Sequence, residues 1–127
     1  MTKDLNGKTV IVTGAGKGIG RATCLMLSGL GANVVAISRT ASDLESLKSE
    51  TGCETHTFDI ANSAELRNVV RGVTSADGLV NCAGINILEP FLEVTEEAFD
   101  LIYSINTKAA MVAAQEFSKT LIAANRG

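Results

Sequence analysis

A chain of 127 residues, 46% hydrophobic and 20% charged, has room for one domain with a buried core and is short for a complete nucleotide-dependent enzyme. Its net charge of -3, with Lys and Arg scattered, argues against a nucleic-acid surface, and no apolar run approaches the length of a membrane span. Cys24, Cys53 and Cys82 show neither a C-x-x-C pair nor a His at ligand spacing, so no disulfide framework and no metal site is expected; with no leader-like pattern in the first seven residues, a reducing cytoplasmic setting is the default.

Apolar, largely β-branched runs alternate with helix-like segments, the pattern of βαβ units in a parallel sheet. The first strand is read at Lys8 to Thr13, followed by a helix that begins near Gly18 and stops at Gly31. Asn33 to Ser38 is the second strand. Thr40 to Glu50 is the next helix, with Ser42 and Glu45 at capping-box spacing and Thr51-Gly52 as its stop. Cys53 to Phe58 alternates like a strand, and Asp59 ends it before a helix opened by Asn62 with Glu65 and carried by Leu66, Val69 and Val70. Asp77 to Asn81 is the fourth strand. Beyond Pro90, Thr95 is expected to cap a long helix whose first turn holds Glu96 and Glu97, with Phe99, Ile102, Asn106, Ala109, Ala113, Phe117 and Leu121 as its stripe. One open α/β domain over residues 1–127 accounts for everything.

The stretch Thr13-Gly14-Ala15-Gly16-Lys17-Gly18-Ile19-Gly20 stands where the first strand hands over to the first helix. A helix N-terminus offers unpaired N–H groups and partial positive charge, and glycines let a pyrophosphate approach the backbone. The common G-x-G-x-x-G spacing fails, because its third glycine would fall on Ile19; the pattern present is T-G-x-x-x-G-x-G. A strand-to-helix setting favours a nucleotide site over an ordinary turn. The second strand ends Ser38-Arg39-Thr40, where dinucleotide folds that prefer NAD place a carboxylate. A guanidinium flanked by hydroxyls suits a 2′-phosphate instead, so NADP(H) is favoured. The plainer alternative for Arg39 is a solvated loop charge, and for Lys17 a solvent-facing one.

These residues resemble the short-chain dehydrogenase/reductase family over nearly the whole chain: the glycine loop, Asp59 after the third strand, Asn81-Cys82-Ala83-Gly84 where the family usually has N-N-A-G, and Asn106 in the long helix. Within it, V-T-G-A-G-K-G-I-G-R, A-I-S-R-T and P-F-L-E-V-T-E-E-A-F-D look most like the dicarbonyl and L-xylulose reductases. The resemblance implies a Rossmann-type doubly wound parallel sheet, here expected to stop at four strands and the long fourth helix. It implies NADP(H), with Gly14, Lys17, Gly18, Ile19 and Gly20 along the pyrophosphate and adenosine path, Ser38, Arg39 and Thr40 at the 2′-phosphate, Asp59 and Ile60 at the adenine, and Asn81, Ala83 and Gly84 toward the nicotinamide ribose. Cys82 departs from the family's second Asn, which puts that residue's strand-bridging role in question.

The family's carbonyl reduction uses a Tyr proton donor, a Lys four residues later and a Ser that polarises the substrate. The only tyrosine, Tyr103, is followed at that spacing by Thr107, so it is read as a packing residue. Asn106 alone matches the family's catalytic set, as support for a proton relay, with a polar helix residue as its alternative. The chain is therefore expected to be the cofactor-binding part of a carbonyl or sugar reductase, inactive alone, whose complete form is a homo-oligomer. The rival expectation is a short product that binds nucleotide or joins full-length subunits without turnover. Either way Leu79-Val80-Asn81-Cys82 becomes an open apolar edge, which favours marginal stability or self-association. His56 is expected to be a satisfied or exposed strand residue.

Overall fold

The computed structural model describes residues 4–126. Four parallel strands, β1 (Thr9–Thr13), β2 (Asn33–Ser38), β3 (Glu54–Thr57) and β4 (Ala76–Asn81), form one sheet in the order β3-β2-β1-β4. Helices α1 (Gly18–Gly29), α2 (Ala41–Thr51) and α3 (Ser63–Gly72) make the crossovers, and a long helical arm follows β4. Because side chains alternate along a strand, β1 and β2 feed two cores. Val10, Val12, Val34 and Ala36 pack with Cys24, Leu44 and Leu47 under α1 and α2. Ile11, Val35 and Ile37 pack with Leu66, Val70, Val112 and Ala113 on the other face. That is the doubly wound, three-layer arrangement expected from the alternation, with β4 at one edge.

Local punctuation mostly acts where it stands. Asn62 Oδ1 accepts the Glu65 N–H at 3.1 Å, Thr95 Oγ1 accepts that of Ala98 at 3.1 Å, and Gly52 closes α2 with φ 70°. The Ser42–Glu45 capping box does not form. The chain turns from β2 straight into α2, so Thr40 becomes the N-cap, without a side-chain bond, and Ser42 falls inside the first turn.

The long arm also departs from expectation. It is built from α4 (Glu96–Tyr103), a π-helical segment (Ser104–Lys108) and α5 (Ala109–Ala123). A π turn carries more residues per turn than the α-helix, so a stripe counted at three- and four-residue steps loses register there. The buried face is Ile105, Ala109, Val112, Ala113 and Glu116, whereas α4 buries nothing. Phe99 and Tyr103 lie exposed and stack on each other at 6.3 Å between ring centroids, so Tyr103 packs on its own helix and not into the core.

Glu116 is the buried charge of this layer, only 3% exposed. Arg67 donates to it at 2.8 Å, Lys119 at 3.1 Å and Arg71 at 3.4 Å, which ties α3 to α5. Hydrogen bonds from Lys119 and Arg67 hold its carboxyl down at about 2. A depressed carboxyl contributes stability that is complete above its unfolded value and is lost as pH falls through the folded one. Glu116→Gln is therefore expected to lower the thermal midpoint by about 5 °C at pH 7 and to flatten the acid limb of the stability curve between about pH 4.5 and pH 2. Thermal melts across that range check both.

Candidate functional site: a cleft at the carboxyl ends of the strands

Parallel strands all point the same way, so the loops that follow β1, β2, β3 and β4 gather at one edge of the sheet. They enclose a cleft of about 380 Å³. The glycine loop enters it through Gly14, Lys17, Ile19 and Gly20; the end of β2 through Ser38, Arg39 and Thr40; the turn after β3 through Asp59 and Ile60; and the turn after β4 through Ala83 and Gly84. Residues scattered over seventy positions of sequence thus share one wall.

Gly18 and Asn81 stand apart from the lining. Gly18 is the first residue of α1, at φ 53°, and a side chain there would meet open space. Asn81 ends β4 and is exposed. Asn106 stands behind the wall: its Oδ1 accepts the Ile85 N–H at 2.8 Å and its Nδ2 donates to the Ile85 carbonyl at 2.8 Å. The amide grips one residue of the β4 loop by both its backbone groups, from the π segment of the helical arm.

The first turn of α1 is bare. Its N-cap, Lys17, makes no side-chain bond to it, and no acidic residue lies within it, so its N–H groups and positive pole face the loop unopposed. The loop is held by close approach. A Cβ on Gly14, at φ 65°, would lie 2.7 Å from the Ala83 nitrogen and 2.9 Å from the Cys82 carbonyl carbon. A Cβ on Gly20 would overlap the carbonyl oxygen of Gly14. The first clamps the loop to the β4 turn, and the second clamps the loop to α1.

Thr13 completes this clamp, and sequence reasoning gave it no role beyond the motif. It is 1% exposed, and its Oγ1 accepts the N–H groups of Cys82 and Ala83, each at 3.2 Å. Gly16, Ile37, Asp43, Phe58, Ile85 and Ile105 also line the cleft without having been singled out as binding residues, and Cys82 lines it beside Ala83. Phe58 and Ile85 adjoin named motifs and were within reach of the sequence; Asp43 and Ile105 come from helices and needed the tertiary fold.

The donor set could hold a phosphate-bearing ligand. Uncapped N–H groups stand at one point, an exposed Arg39 with two hydroxyl residues at another, and apolar Phe58 and Ile60 between the sheet and solvent. Arg39 has no ion-pair partner among the described residues. Other chemistry is off the cleft. His56 pairs with Glu54 Oε1 at 2.6 Å on the edge strand, and Cys24 and Cys53 are buried in the core. Burial pushes the Cys24 thiol up to about 12, which leaves it unreactive. Among the described residues no group of three or more His, Cys, Asp or Glu is set to hold a metal, and no helix is long and apolar enough to cross a membrane.

Comparison with known proteins agrees with this geometry. Residues 8–127 match the family described as short chain dehydrogenase. Over 124 residues the chain is 46% identical to an L-xylulose reductase of Mesocricetus auratus, a match covering 97% of this chain and 51% of that protein. It is 37% identical over 123 residues to carbonyl reductase (NADPH) 2 of Sus scrofa, covering 96% of this chain and 50% of that one. The chain spans about half the length of the curated relatives it matches. A metagenomic short-chain oxidoreductase solved in complex with NADP superposes with a TM-score of 0.89 at 32% identity, over 97% of this chain and 60% of that one. With the match running from β1 to the end of the helical arm, the chain belongs to the short-chain dehydrogenase family.

Proposed function

We propose that residues 1–127 form the NADP(H)-binding, Rossmann-type part of a carbonyl reductase whose complete form acts on a sugar or a small dicarbonyl. The observation that carries this is the cleft in which the bare N-terminus of α1 and Arg39, unpaired among the described residues, face one ligand-sized space. The relatives named L-xylulose reductase and carbonyl reductase (NADPH) supply the substrate class. When bound, the nicotinamide supplies or accepts a hydride. The residues of this chain do the holding. Gly14, Lys17, Ile19 and Gly20 line the pyrophosphate and adenosine path, with Gly18 opening α1 beside them; Ser38, Arg39 and Thr40 take the 2′-phosphate; Asp59 and Ile60 take the adenine. Ala83 and Gly84 face the nicotinamide ribose, Asn81 precedes them at the end of β4, and Asn106 keeps their loop in place through Ile85.

The family's reaction uses a tyrosine proton donor, and among the described residues no tyrosine lines the cleft. Tyr103 is off it, exposed, with Thr107 four positions on, so the Tyr, Lys and Ser of the family's reaction are not assembled by this stretch. Asn106 then has a positioning role here, and its relay role belongs to the complete enzyme. Three free cysteines fit a reducing compartment such as the cytoplasm.

Arg39→Met is expected to weaken NADPH binding by about ten- to hundredfold, the worth of a charge-assisted hydrogen bond to phosphate, and to change NADH binding little. Titration of protein or nicotinamide fluorescence with each nucleotide checks it; equal losses for both would sink the assignment of the 2′-phosphate to Arg39. A second reading rests on exposed apolar residues of the arm, Phe99 63% and Ile122 77% exposed: a chain that binds nucleotide or joins full-length subunits without turnover. Intact mass of the protein from its native source separates the two readings.

A further inference from the structure

Two carboxylates line the cleft, Asp59 after β3 and Asp43 on the helix that follows Arg39, and both oppose an anion held there. Asp43 lies in the first turn of α2 and lines the same cleft as Ser38, Arg39 and Thr40. It is held from several sides. Arg21, which also donates to Ser46 and pairs with Glu50, donates to the Asp43 carbonyl oxygen at 3.1 Å. The glycine loop runs beside its side chain: a Cβ on Gly16 would lie 3.1 Å from the Asp43 Cβ and 2.7 Å from the Ser38 Oγ. Across the mouth, the Lys17 Nζ stands 3.6 Å from the Asp43 Oδ2.

The two partners of that ion pair differ in freedom. The Asp43 side chain is 23% exposed and lies beside the loop, whereas that of Lys17 is 80% exposed. An exposed pair at this distance is worth little, so the ammonium can leave at small cost while the carboxylate stays. A phosphate monoester carries a charge of about -1.5 to -2 at neutral pH and attracts Lys17 more strongly than one carboxylate does. It is also repelled by the carboxylate left behind. A free 2′-hydroxyl has no charge to be repelled and can donate to that same carboxylate.

Resting on the dinucleotide reading of the cleft, we propose that Asp43 is a specificity-determining residue. It holds Lys17 in the absence of a 2′-phosphate and opposes that phosphate on arrival, so it tempers the preference for a 2′-phosphorylated dinucleotide that Arg39 creates.

Asp43→Asn keeps the shape and removes the charge. Direct fluorescence titration is expected to show NADPH binding tightened by about three- to tenfold, with NADH binding unchanged or weakened. Lys17→Met is expected to cost more NADPH affinity in the Asp43→Asn background than in the wild type, because Lys17 is then free of its competing partner. Asp43→Ser, with a residue suited to a helix's first turn, guards against a loss of folding in the Asn variant, and circular dichroism melts report on that directly. An unchanged ratio of NADPH to NADH affinity in both variants, or a parallel fall for both nucleotides, would reduce Asp43 to a helix-end carboxylate and overturn the proposal. If the wild-type protein binds neither nucleotide, the dinucleotide reading itself fails, an outcome distinct from binding with an unchanged ratio.

Discussion

Gly14→Ala is expected to abolish measurable nucleotide binding and to destabilise the protein by about 2–5 kcal/mol. Two costs add. An alanine at φ 65° carries the left-handed penalty, roughly 1–2 kcal/mol. Its Cβ would also sit 2.7–2.9 Å from the backbone of Cys82 and Ala83, where no side chain can swing aside, so overpacking adds about 1–3 kcal/mol. The sum is a large part of the roughly 5–15 kcal/mol by which domains are stable. Gly18→Ala provides the control. At φ 53° it bears the same backbone penalty, but its Cβ meets open space, so only the first cost applies. Denaturant melts of the two variants should therefore separate by about 1–3 kcal/mol. Equal losses would show that the approach of the loop to the β4 turn is not what the glycine serves.

Thr13→Val should cost about 2–4 kcal/mol, while Thr13→Ser stays close to wild type. Valine matches the shape of threonine but removes the one acceptor shared by the Cys82 and Ala83 N–H groups. The two donors are part-buried, so each one left without a partner costs about 1–2 kcal/mol, the lower part of the range for a buried group. Serine restores the oxygen and loses only a methyl. The damage should be local as well: amide hydrogen exchange at Cys82, Ala83 and Gly84 should accelerate in the valine variant before that of β2 does. A valine variant as stable as wild type, with those amides still protected, would mean that Thr13 is only a core residue.

Both variants act on one joint, the contact between the β1 turn and the β4 turn, and this joint shows how far the sequence reached. Its parts were legible. The glycine spacing marked the loop, and Asn81-Cys82-Ala83-Gly84 marked the other side. Their contact was not, because it spans about seventy residues of sequence and depends on β1 and β4 being neighbours in the sheet. The doubt about Cys82 takes a different form in the structure: its backbone N–H, held by Thr13, ties the strands together at this point, and its side chain lines the cleft.

Local chemistry determined the elements themselves. Strand-helix alternation, the Asn62 and Thr95 caps and the Gly52 stop could be read residue by residue, because each rests on neighbours within four positions. Tertiary structure decided what those rules cannot see. The Ser42 cap was lost because the exit direction of β2 sets where α2 begins. The stripe on the long arm was broken by a π turn whose Asn106 reaches Ile85, twenty-one residues away in sequence. Asp43 entered the cleft only because α2 packs against the glycine loop. The sequence by itself determined the parallel α/β fold and the loops from which the cleft is built; packing between distant segments decided which side chains and which charges face the ligand, because those positions depend on neighbours that only the folded chain brings together.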